Sequence, residues 1–555
     1  MPNTTARKPA PNLQRAFIGG LEQVLDSFGA APPELPSLDA GYLVPMLVHA
    51  ARVYGNTIVD HIPVESSADH NVNWYSLVAA LARAPQDRKP YFHFGLAVDP
   101  DVEAVLDQYR AMFRTRHQLG SLKDGRWRVF ECDDGSVEIG LAPAARRSAL
   151  HLVAWRAENH LLPPDRAALT ALPNSREKLV QIILSAANAD LDVFRKSHPR
   201  NWDRLADGLG FDLDDLPQFQ AFLIDLLHTP PAWFTNGELL SLWNDYRSPA
   251  PPYSDETFSA LLACQALTPA EGVAWSAVAP LIKIGDLYIP WFFGFHGLHP
   301  CLSFLSILMR RHESLWSRTV GSTLAYAADW LGGRLTGHGR LEWRVRAKVP
   351  GGGGDADLVL WDCTTGAVAV FEMKTTFDKY RTSFQFDNFT GQRVNYTKAL
   401  AQAQAAAEAI RTGAWPLRSL FGKSSPDRPT SVTAGVLTWW DTYNPTLDSA
   451  APPTLCCNYA TLAFLLDRAE GDLSAAMTAI AELSAIYCPA RLVPIGQDPQ
   501  TGDLILLEVQ AAELPPRSSW PPISDFTREL LSTHGCWPED WVTQASSDVG
   551  RWRVY

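Results

Sequence analysis

Three ionisable residues in the second half of the chain have the types and spacing that hydrolytic chemistry requires. Asp357 precedes a short apolar run, and Glu372 and Lys374 end the next apolar run along the chain. The segment Thr364–Gly366 lies between the two runs and has the composition of a tight turn. Because side chains alternate between the two faces of a strand, Glu372 and Lys374 are expected to share a face. An antiparallel hairpin would therefore bring two carboxylates and one ammonium group to one edge of a sheet.

These groups are suited to metal-assisted hydrolysis of a phosphodiester bond. Carboxylate oxygens are hard ligands for Mg²⁺ or Mn²⁺, which retain several waters and take phosphate oxygens as further ligands. A neighbouring lysine can orient the attacking water and stabilise charge that develops on the phosphate. Asp355, at the end of a run of four glycines, competes with Asp357 for the role of first ligand. A plain salt bridge between Glu372 and Lys374 at a strand end is the other interpretation that the sequence leaves open.

The apolar pattern predicts a series of elements around these residues. Periodic apolar positions predict helices, and alternating or short continuous apolar runs predict strands. The predicted order is helix, three strands, helix and strand, with one late strand that extends the same sheet. The predicted bounds are Ser306–Leu331 for the first helix, Arg340–Val349, Ala356–Trp361 and Ala367–Met373 for the three strands, Asn395–Arg411 for the second helix, Ser431–Trp440 for the fourth strand and Asp503–Val509 for the late strand.

Asp357 before one apolar strand and Glu372-x-Lys374 at the end of the next resemble the signature of the PD-(D/E)xK nuclease superfamily, which has a restriction-endonuclease-like fold. The predicted order of elements is similar to the αβββαβ core of that superfamily. The resemblance covers about residues 302–440, and it has one departure, since Ala356 stands where the family pattern often has Pro. It implies that Asp357 and Glu372 bind Mg²⁺ or Mn²⁺ and that Lys374 assists the attacking water.

Two supporting residues are implied by the resemblance alone. Many members of the superfamily add an acidic residue from the first core helix, and Glu313 is the candidate here, with a surface position as the alternative. Some members add a glutamine from the helix after the motif. Gln402 and Gln404 are the candidates for that role, with a solvent-facing side chain as the alternative.

The charge of the chain is unevenly distributed. The 555 residues carry a formal net charge of −12, which argues against a protein that coats nucleic acid through bulk charge. Between Arg334 and Lys423, however, 13 Lys and Arg stand against 8 Asp and Glu, a net charge of +5. Basic and aromatic residues interleave there, as suits a nucleic-acid backbone, although a solvated strand face and a packed loop are the alternative. The predicted nucleic-acid-binding residues are Arg344, Arg346 and Lys348, expected to share one strand face with Arg340, and Lys379, Arg381 and Arg393.

The length and the 46% content of hydrophobic residues predict a globular protein of several domains. The predicted elements give it mixed α+β content, and the resemblance implies an α/β nuclease core within it. Hairpins are predicted over Arg126–Leu141 and Ala279–Pro290 from their central turn residues. The predicted division is an N-terminal arm and helix over residues 1–40, a mixed α+β recognition region over 41–300, a nuclease domain over 301–510 and a Pro- and Trp-rich cap over 511–555.

Eight scattered cysteines without a C-x-x-C pair indicate reduced thiols and predict a cytoplasmic protein. The uncharged stretch Leu287–Met309 holds Pro and Gly near its centre, so no membrane partner is expected.

We expect a magnesium-dependent nuclease that acts on DNA, in restriction, repair or phage defence. Its N-terminal region would select the target or bind a protein partner, including a second copy of the chain. The alternatives are a catalytically inactive nucleic-acid-binding or assembly protein of the same fold and an interaction protein in which the motif is a coincidence.

Overall fold

The computed structural model has a mixed α+β architecture, as predicted, in which helices alternate with sheets of mixed strand direction. In the central sheet, antiparallel and parallel strand pairs occur side by side. The structure describes residues 7–28, 34–35, 43, 46–47, 79–84, 99–123, 127–133, 135, 137–141, 147–150, 153–154, 157, 175–227, 233–271, 279–290, 300–321, 327–335, 339–352, 354–374, 387–422, 428–438, 455–488, 490–497, 504–511, 518, 520–534 and 536–537.

The strands of the described residues fall into four sheets. Most are short, and the longest ones belong to the central sheet and to a sheet that joins both ends of the chain. In chain order they are β1 (Arg7–Pro9), β2 (Trp127–Cys132), β3 (Val137–Leu141), β4 (Arg147–Ser148), β5 (Phe234–Thr235), β6 (Ala266–Leu267), β7 (Leu281–Ile284), β8 (Leu287–Pro290), β9 (Leu341–Lys348), β10 (Asp355–Asp362), β11 (Ala367–Lys374), β12 (Ser431–Thr438), β13 (Leu455–Asn458), β14 (Tyr487–Cys488), β15 (Ala490–Gln497) and β16 (Leu504–Ala511).

Several helices begin at side chains that accept a hydrogen bond from the first turn, such as Ser254 and Asp472, and Thr235 forms a capping box with Glu238. Short 3₁₀ turns occupy Leu213–Asp215 and Pro350–Gly352. The helices are α1 (Pro11–Ser27), α2 (Pro100–Lys123), α3 (Ser175–Ser197), α4 (Pro199–Leu209), α5 (Leu216–Leu227), α6 (Asn236–Arg247), α7 (Asp255–Ala263), α8 (Leu302–Arg311), α9 (Glu313–Arg318), α10 (Ala327–Leu335), α11 (Asp387–Thr412), α12 (Leu417–Phe421), α13 (Tyr459–Arg468), α14 (Leu473–Ala485) and α15 (Asp525–His534).

The central sheet contains the residues singled out for chemistry. Its strand order is β13-β12-β11-β10-β9, with β10 antiparallel to both of its neighbours. The β11–β12 and β12–β13 pairs are parallel. Two parallel strands that follow each other along the chain must be joined by a crossover connection. Here that connection contains α11, which lies between β11 and β12 along the chain. The helix, three strands, helix and strand predicted from the sequence thus occur in that order.

Both faces of the central sheet are covered by apolar side chains. On one face, Leu358 and Phe371 join a large core that includes residues of helices from both halves of the chain. On the other face, Val359 and Val370 pack against α11 and α12. Alanine at sheet-facing positions of α11 allows close approach of the helix, and the buried residues of α11 are Tyr396, Ala399, Ala403, Ala406, Ala407 and Ile410. Strands buried on both faces read as continuous apolar runs, which is the pattern of β11.

The first helix of the predicted series is not continuous. The expected helix Ser306–Leu331 is divided into α8, α9 and α10, and residues 322–326 lie outside the described residues. His312 between α8 and α9 has φ −128° and ψ 48°, which is not helical. The predicted end at Leu331 is also wrong, because α10 continues through Gly332 and Gly333 to Leu335. A Cβ atom at Gly332 would collide with the indole of Trp343, so this glycine allows contact between α10 and β9.

The late strand does not extend the central sheet, as predicted, but belongs to another one. It is observed as β16, but it pairs with β15, which pairs with β3 in a sheet of order β1-β2-β3-β15-β16. Alternation of side chains predicts that a segment is extended but does not identify the strand beside it.

The predicted hairpins are confirmed as β2–β3 and β7–β8. None of the described helices is long and apolar enough to cross a membrane.

Candidate active site

The hairpin of β10 and β11 places Asp357 beside Glu372. Leu358 pairs with Phe371, and extension of this register by one residue sets Asp357 opposite Glu372. The turn that closes the hairpin is held by Asp362, whose carboxylate accepts hydrogen bonds from the backbone N–H groups of Thr364 and Thr365. The register that aligns the two acidic residues is therefore set by a turn at the other end of the hairpin.

The three predicted catalytic residues lie close together. The backbone N–H of Met373 donates a hydrogen bond to Oδ2 of Asp357 over 2.8 Å, which orients that carboxylate. Lys374 Nζ donates to Oε2 of Glu372 over 3.4 Å. The carboxyl group of Asp357 is close enough to that of Glu372 for its charge to act on the pKa of Glu372. The convergence expected from strand alternation is thus observed.

Burial and like charge act together on Glu372. Its side chain is only 5% exposed, whereas the Lys374 side chain is 27% exposed. Burial raises the pKa of Glu372 most, the negative charge of Asp357 raises it further, and Lys374 lowers it, which leaves a pKa of about 7. The ionised carboxyl pair is thus disfavoured in the protein alone.

A divalent cation fits this arrangement. The two adjacent carboxylates lie on neighbouring interior strands and repel each other. A cation between them would remove that repulsion. Carboxylate oxygens are the ligands that Mg²⁺ and Mn²⁺ prefer, and one N–H bond to Asp357 leaves its carboxylate with further acceptor capacity. Among the described residues, no group of three or more His, Cys, Asp and Glu side chains is arranged to hold a metal ion. Two protein carboxylates with water and phosphate completing the shell is a common arrangement for Mg²⁺.

Asp355, the rival first ligand, has a different partner. Its Oδ2 atom lies 3.5 Å from Nζ of Lys348 on the neighbouring strand. The side chain of Lys348 is 81% exposed, so this is a surface ion pair. The contacts with Glu372 and with the N–H of Met373 belong instead to Asp357. The geometry therefore favours Asp357 over Asp355 as the carboxylate that acts with Glu372.

Of the two candidate glutamines, Gln402 lies nearer to the start of β10. It is half-buried on α11, and its Nε2 atom is 3.8 Å from the position that a Cβ on Gly354 would occupy. Gln404 is exposed. Because residues two apart on a helix project in different directions, only one of these glutamines can face the sheet, and Gln402 is that one.

Glu313 is placed on a surface helix. It is exposed at the first position of α9, which packs against α8 and α4. Of the three helices into which the predicted helix is divided, α10 is the one that packs against β9 and β10. The charged groups that shift the pKa of Glu372 are Asp357 and Lys374. The break in the predicted helix thus separates Glu313 from the helix that lies on the sheet.

Of the basic residues predicted on this strand, Arg340 immediately precedes β9 and Arg344 lies within it, and both hold other parts of the fold. Arg340 forms a two-point hydrogen bond with the buried Asp362, with Nε 3.2 Å from Oδ1 and Nη2 2.7 Å from Oδ2. Arg344 donates from Nε to the carbonyl oxygen of Leu420 over 2.6 Å, and its guanidinium lies 5.2 Å from the ring centre of Phe421. Arg344 is thus a contact between β9 and α12.

The prediction that Arg340, Arg344, Arg346 and Lys348 share a face is wrong. Trp343 and Val345 pack against the large core that contains Leu358. Ala347 and Val349 pack instead against the core that contains Val359, on the opposite face of the sheet. The reversal occurs at Arg346, whose φ of 48° is left-handed. One such residue interrupts the alternation that a regular strand would maintain. Lys348 therefore does not continue the face on which Arg344 lies.

The remaining predicted nucleic-acid-binding residues are not placed in full. Lys379 and Arg381 lie outside the described residues. Arg393 belongs to α11, where only its backbone is described. The sequence also did not identify the role of Asp362, whose position before Thr364-Thr365-Gly366 is typical of an Asp that accepts hydrogen bonds from a turn.

No protein-family profile, curated protein or solved structure matches the chain.

Proposed function

We propose that the chain is a metal-dependent nuclease with a restriction-endonuclease-like core, which hydrolyses phosphodiester bonds of DNA. The observation that carries the proposal is the contact of Lys374 with Glu372 beside Asp357, near the C-terminal end of β11 in the central sheet. The strand order and the α11 crossover support it, because the αβββαβ core that the motif implies has the same sequence of elements. The setting would be restriction, repair or phage defence.

The roles of the residues follow from their contacts. Asp357 and Glu372 would hold Mg²⁺ or Mn²⁺, and the N–H of Met373 keeps the Asp357 carboxylate in place. The bound cation would supply Lewis acidity toward the phosphate and the attacking water. Lys374, at the exposed end of β11, would orient that water and stabilise negative charge on the phosphate. Gln402, whose amide lies near the start of β10, would be the supporting glutamine that the resemblance implies.

The experiment compares the wild-type protein with Glu372→Ala, Lys374→Ala and Asp357→Asn. Each protein is incubated with supercoiled, linear and single-stranded DNA and with RNA, in the presence of Mg²⁺, Mn²⁺ or EDTA. The proposal predicts metal-dependent cleavage that falls by at least about a hundredfold in each variant, since each removes a group that acts in the transition state. Asp355→Asn is the matched control, because it removes a carboxylate two residues from Asp357 that pairs with Lys348 instead.

The outcomes separate the proposal from its alternatives. Cleavage that survives in all three variants would show that another site is responsible. Metal-independent binding without cleavage would favour a nucleic-acid-binding or assembly protein of the same fold. Neither binding nor cleavage would favour an interaction protein in which the motif is a coincidence. Equal loss in Asp355→Asn and Asp357→Asn would remove the distinction between the two aspartates.

A further inference from the structure

We propose that β16 is a dimerisation edge, at which two copies of the chain join their β16 strands in antiparallel orientation. The proposal goes beyond the nuclease function and does not depend on it, because the sheet of β16 is separate from the central sheet that carries Asp357 and Glu372. Its support comes from the position of β16 in its sheet, from a comparison of β16 with the other edge strands, and from the complementarity of β16 to itself.

Within the described residues, β16 is the last strand of its sheet. The order β1-β2-β3-β15-β16 gives it one neighbour, β15, and the pairing runs from Leu504 opposite Gln497 to Ala511 opposite Ala490. In an antiparallel pair, the backbone N–H and C=O groups of alternate residues point away from the neighbouring strand. Along its other edge β16 therefore directs a row of backbone donors and acceptors outward, which is a template for pairing with a further strand.

The other edge strands of the described sheets carry features that oppose association between edges. Short length, charged side chains, proline and backbone irregularity all have this effect. β1 has three residues and contains Lys8 and Pro9, β13 has four residues, and β4, β5, β6 and β14 have two each. β9 has eight residues, but four of them are charged and Arg346 has a left-handed backbone.

β16 differs from these strands in length and in composition. Its eight residues, LILLEVQA, include five of the types Leu, Ile and Val, a single charged residue, Glu508, and no proline. The irregularity of this strand pair lies in β15, between Pro494 and Gln497, whereas the register of β16 from Leu507 to Ala511 is regular. A long, apolar and regular edge pairs readily with another strand, so a strand is the expected occupant.

A second copy of β16 fits this edge because the strand is complementary to itself. A twofold axis perpendicular to the sheet keeps each residue on its own face, so that the two registers with the largest overlap are centred on Leu507 and on Glu508. The register centred on Glu508 sets two glutamates directly opposite each other, and like charges in that position are unfavourable. The register centred on Leu507 pairs residues 504–510 and sets Leu506 opposite Glu508 of the partner subunit. The charge of Glu508 therefore selects the register centred on Leu507.

The test uses Leu506→Glu and Leu506→Lys in the full-length protein. In the proposed register, Leu506→Glu sets a carboxylate opposite Glu508 of the partner subunit twice in each dimer, whereas Leu506→Lys sets an ammonium group there. Both variants lose the same apolar side chain, so an effect of that loss on folding is common to them, and thermal unfolding measures it. Lys8→Glu is the control for a change of charge on the opposite edge of the same sheet.

Two measurements are made on each protein in the absence of DNA. Sedimentation velocity from about 1 to about 100 μM gives the dissociation constant of the dimer, since a contact along one strand edge belongs to the small and weak interfaces. Leu506→Lys should dimerise at least about fourfold more tightly than Leu506→Glu, because two cross-strand pairs change from repulsive to attractive. Hydrogen exchange reports on the backbone of β16, whose amides should exchange more slowly at the higher wild-type concentration. Lys8→Glu should behave like the wild type in both measurements.

A wild-type protein that stays monomeric over this range would overturn the proposal. A dimer in which hydrogen exchange of β16 does not depend on concentration would also overturn it, because the interface would lie elsewhere. Equal dissociation constants of Leu506→Glu and Leu506→Lys would exclude the register centred on Leu507, and a weaker dimer of Lys8→Glu would move the interface to β1. Cleavage of DNA by the wild type is a separate measurement, so the dimer and the nuclease function can fail independently.

Discussion

Nζ of Lys374 lies 3.4 Å from Oε2 of Glu372, two residues away on the same face of β11. The ammonium group lowers the pKa of Glu372, but burial and the adjacent Asp357 raise it more, and the result is a pKa of about 7. The protonation state of the carboxyl pair therefore changes near neutral pH. Both the stability of the metal-free protein and its affinity for a divalent cation should depend on this proton.

Replacement of Glu372 by Gln should stabilise the metal-free protein at pH 8. The folded-state pKa of about 7 lies above the ordinary value of 4.5, so ionisation favours the unfolded chain. The free energy of unfolding of the wild type should fall as pH rises from about 4.5 to about 7 and then level off, whereas this fall should be absent in Glu372→Gln. The gain at pH 8 should be on the order of 1–3 kcal/mol, measured by urea unfolding in EDTA at pH 5 and pH 8. Identical pH dependence in both proteins would contradict this.

Binding of Mg²⁺ should release a proton and weaken at acidic pH. Because Glu372 must be ionised to act as a ligand, the apparent affinity should fall about tenfold for each pH unit below 7. Calorimetric titration with Mg²⁺ at pH 6 and pH 8 in two buffers measures both the affinity and the protons released. Asp357→Asn should abolish binding, and Asp355→Asn should leave it unchanged. Affinity that is independent of pH would exclude Glu372 as a ligand.

Asp362→Asn should destabilise the hairpin that carries the site. Asp362 is fully buried, accepts two hydrogen bonds from Arg340, and lies 3.4 Å from the N–H of Leu473 at the start of α14. Burial acts to raise its pKa, but the bond from Arg340 and those from Thr364 and Thr365 lower it overall. Loss of this charge should cost roughly 2–4 kcal/mol in the free energy of unfolding, because Arg340 would lose its buried partner.

Urea unfolding at pH 7 measures the effect of Asp362→Asn. Since the pKa of Asp362 is lowered in the folded state, its stabilising contribution should be present at neutral pH and lost as the solution becomes acidic, below about pH 4. Asp355→Asn is the comparison, since its pair with the exposed Lys348 should contribute at most about 1 kcal/mol. Equal effects of the two substitutions would contradict a special role for the buried pair.

Gly435→Ala should disturb β11 and reduce catalysis. A Cβ at Gly435 would lie 2.7 Å from the carbonyl oxygen of Leu455 and 2.8 Å from the ring of Phe371. Relief of these contacts requires movement of β13 or β11, and β11 carries Glu372 and Lys374. We expect a loss of about 1–3 kcal/mol in stability and slower cleavage of DNA.

The matched control for Gly435→Ala is Gly20→Ala in α1, where nothing lies within 4 Å of the added Cβ. That change should be neutral or should stabilise the protein by up to about 1 kcal/mol, because alanine favours a helix. Thermal unfolding and cleavage assays on both variants check the pair of predictions. A Gly435→Ala protein as stable as the wild type would show that the strands can separate without cost.

Much of the central sheet could be predicted from the sequence because its strands are short apolar runs bounded by turn residues. β10 is longer than predicted by one residue at each end, and β11 is longer by one residue at its C-terminal end. The first helix was less predictable, since periodicity reports which residues are apolar but not a backbone break such as that at His312. The sheet to which β16 belongs was unpredictable for a related reason, because its partner β15 pairs in turn with β3, where Arg491 lies opposite Gly140 from the N-terminal half of the chain.

The sequence by itself determined that Glu372 and Lys374 share a face and that Asp357 lies near them. Both follow from the two-residue period of a strand and from a turn that returns the chain. Only the tertiary structure decided that Asp355 pairs with Lys348 and that Arg340 and Arg344 hold other parts of the fold. It also revealed the left-handed backbone at Arg346, which divides a regular basic stripe between two faces. Local periodicity is a property of neighbouring residues, whereas partners and backbone irregularities depend on segments that meet only when the chain has folded.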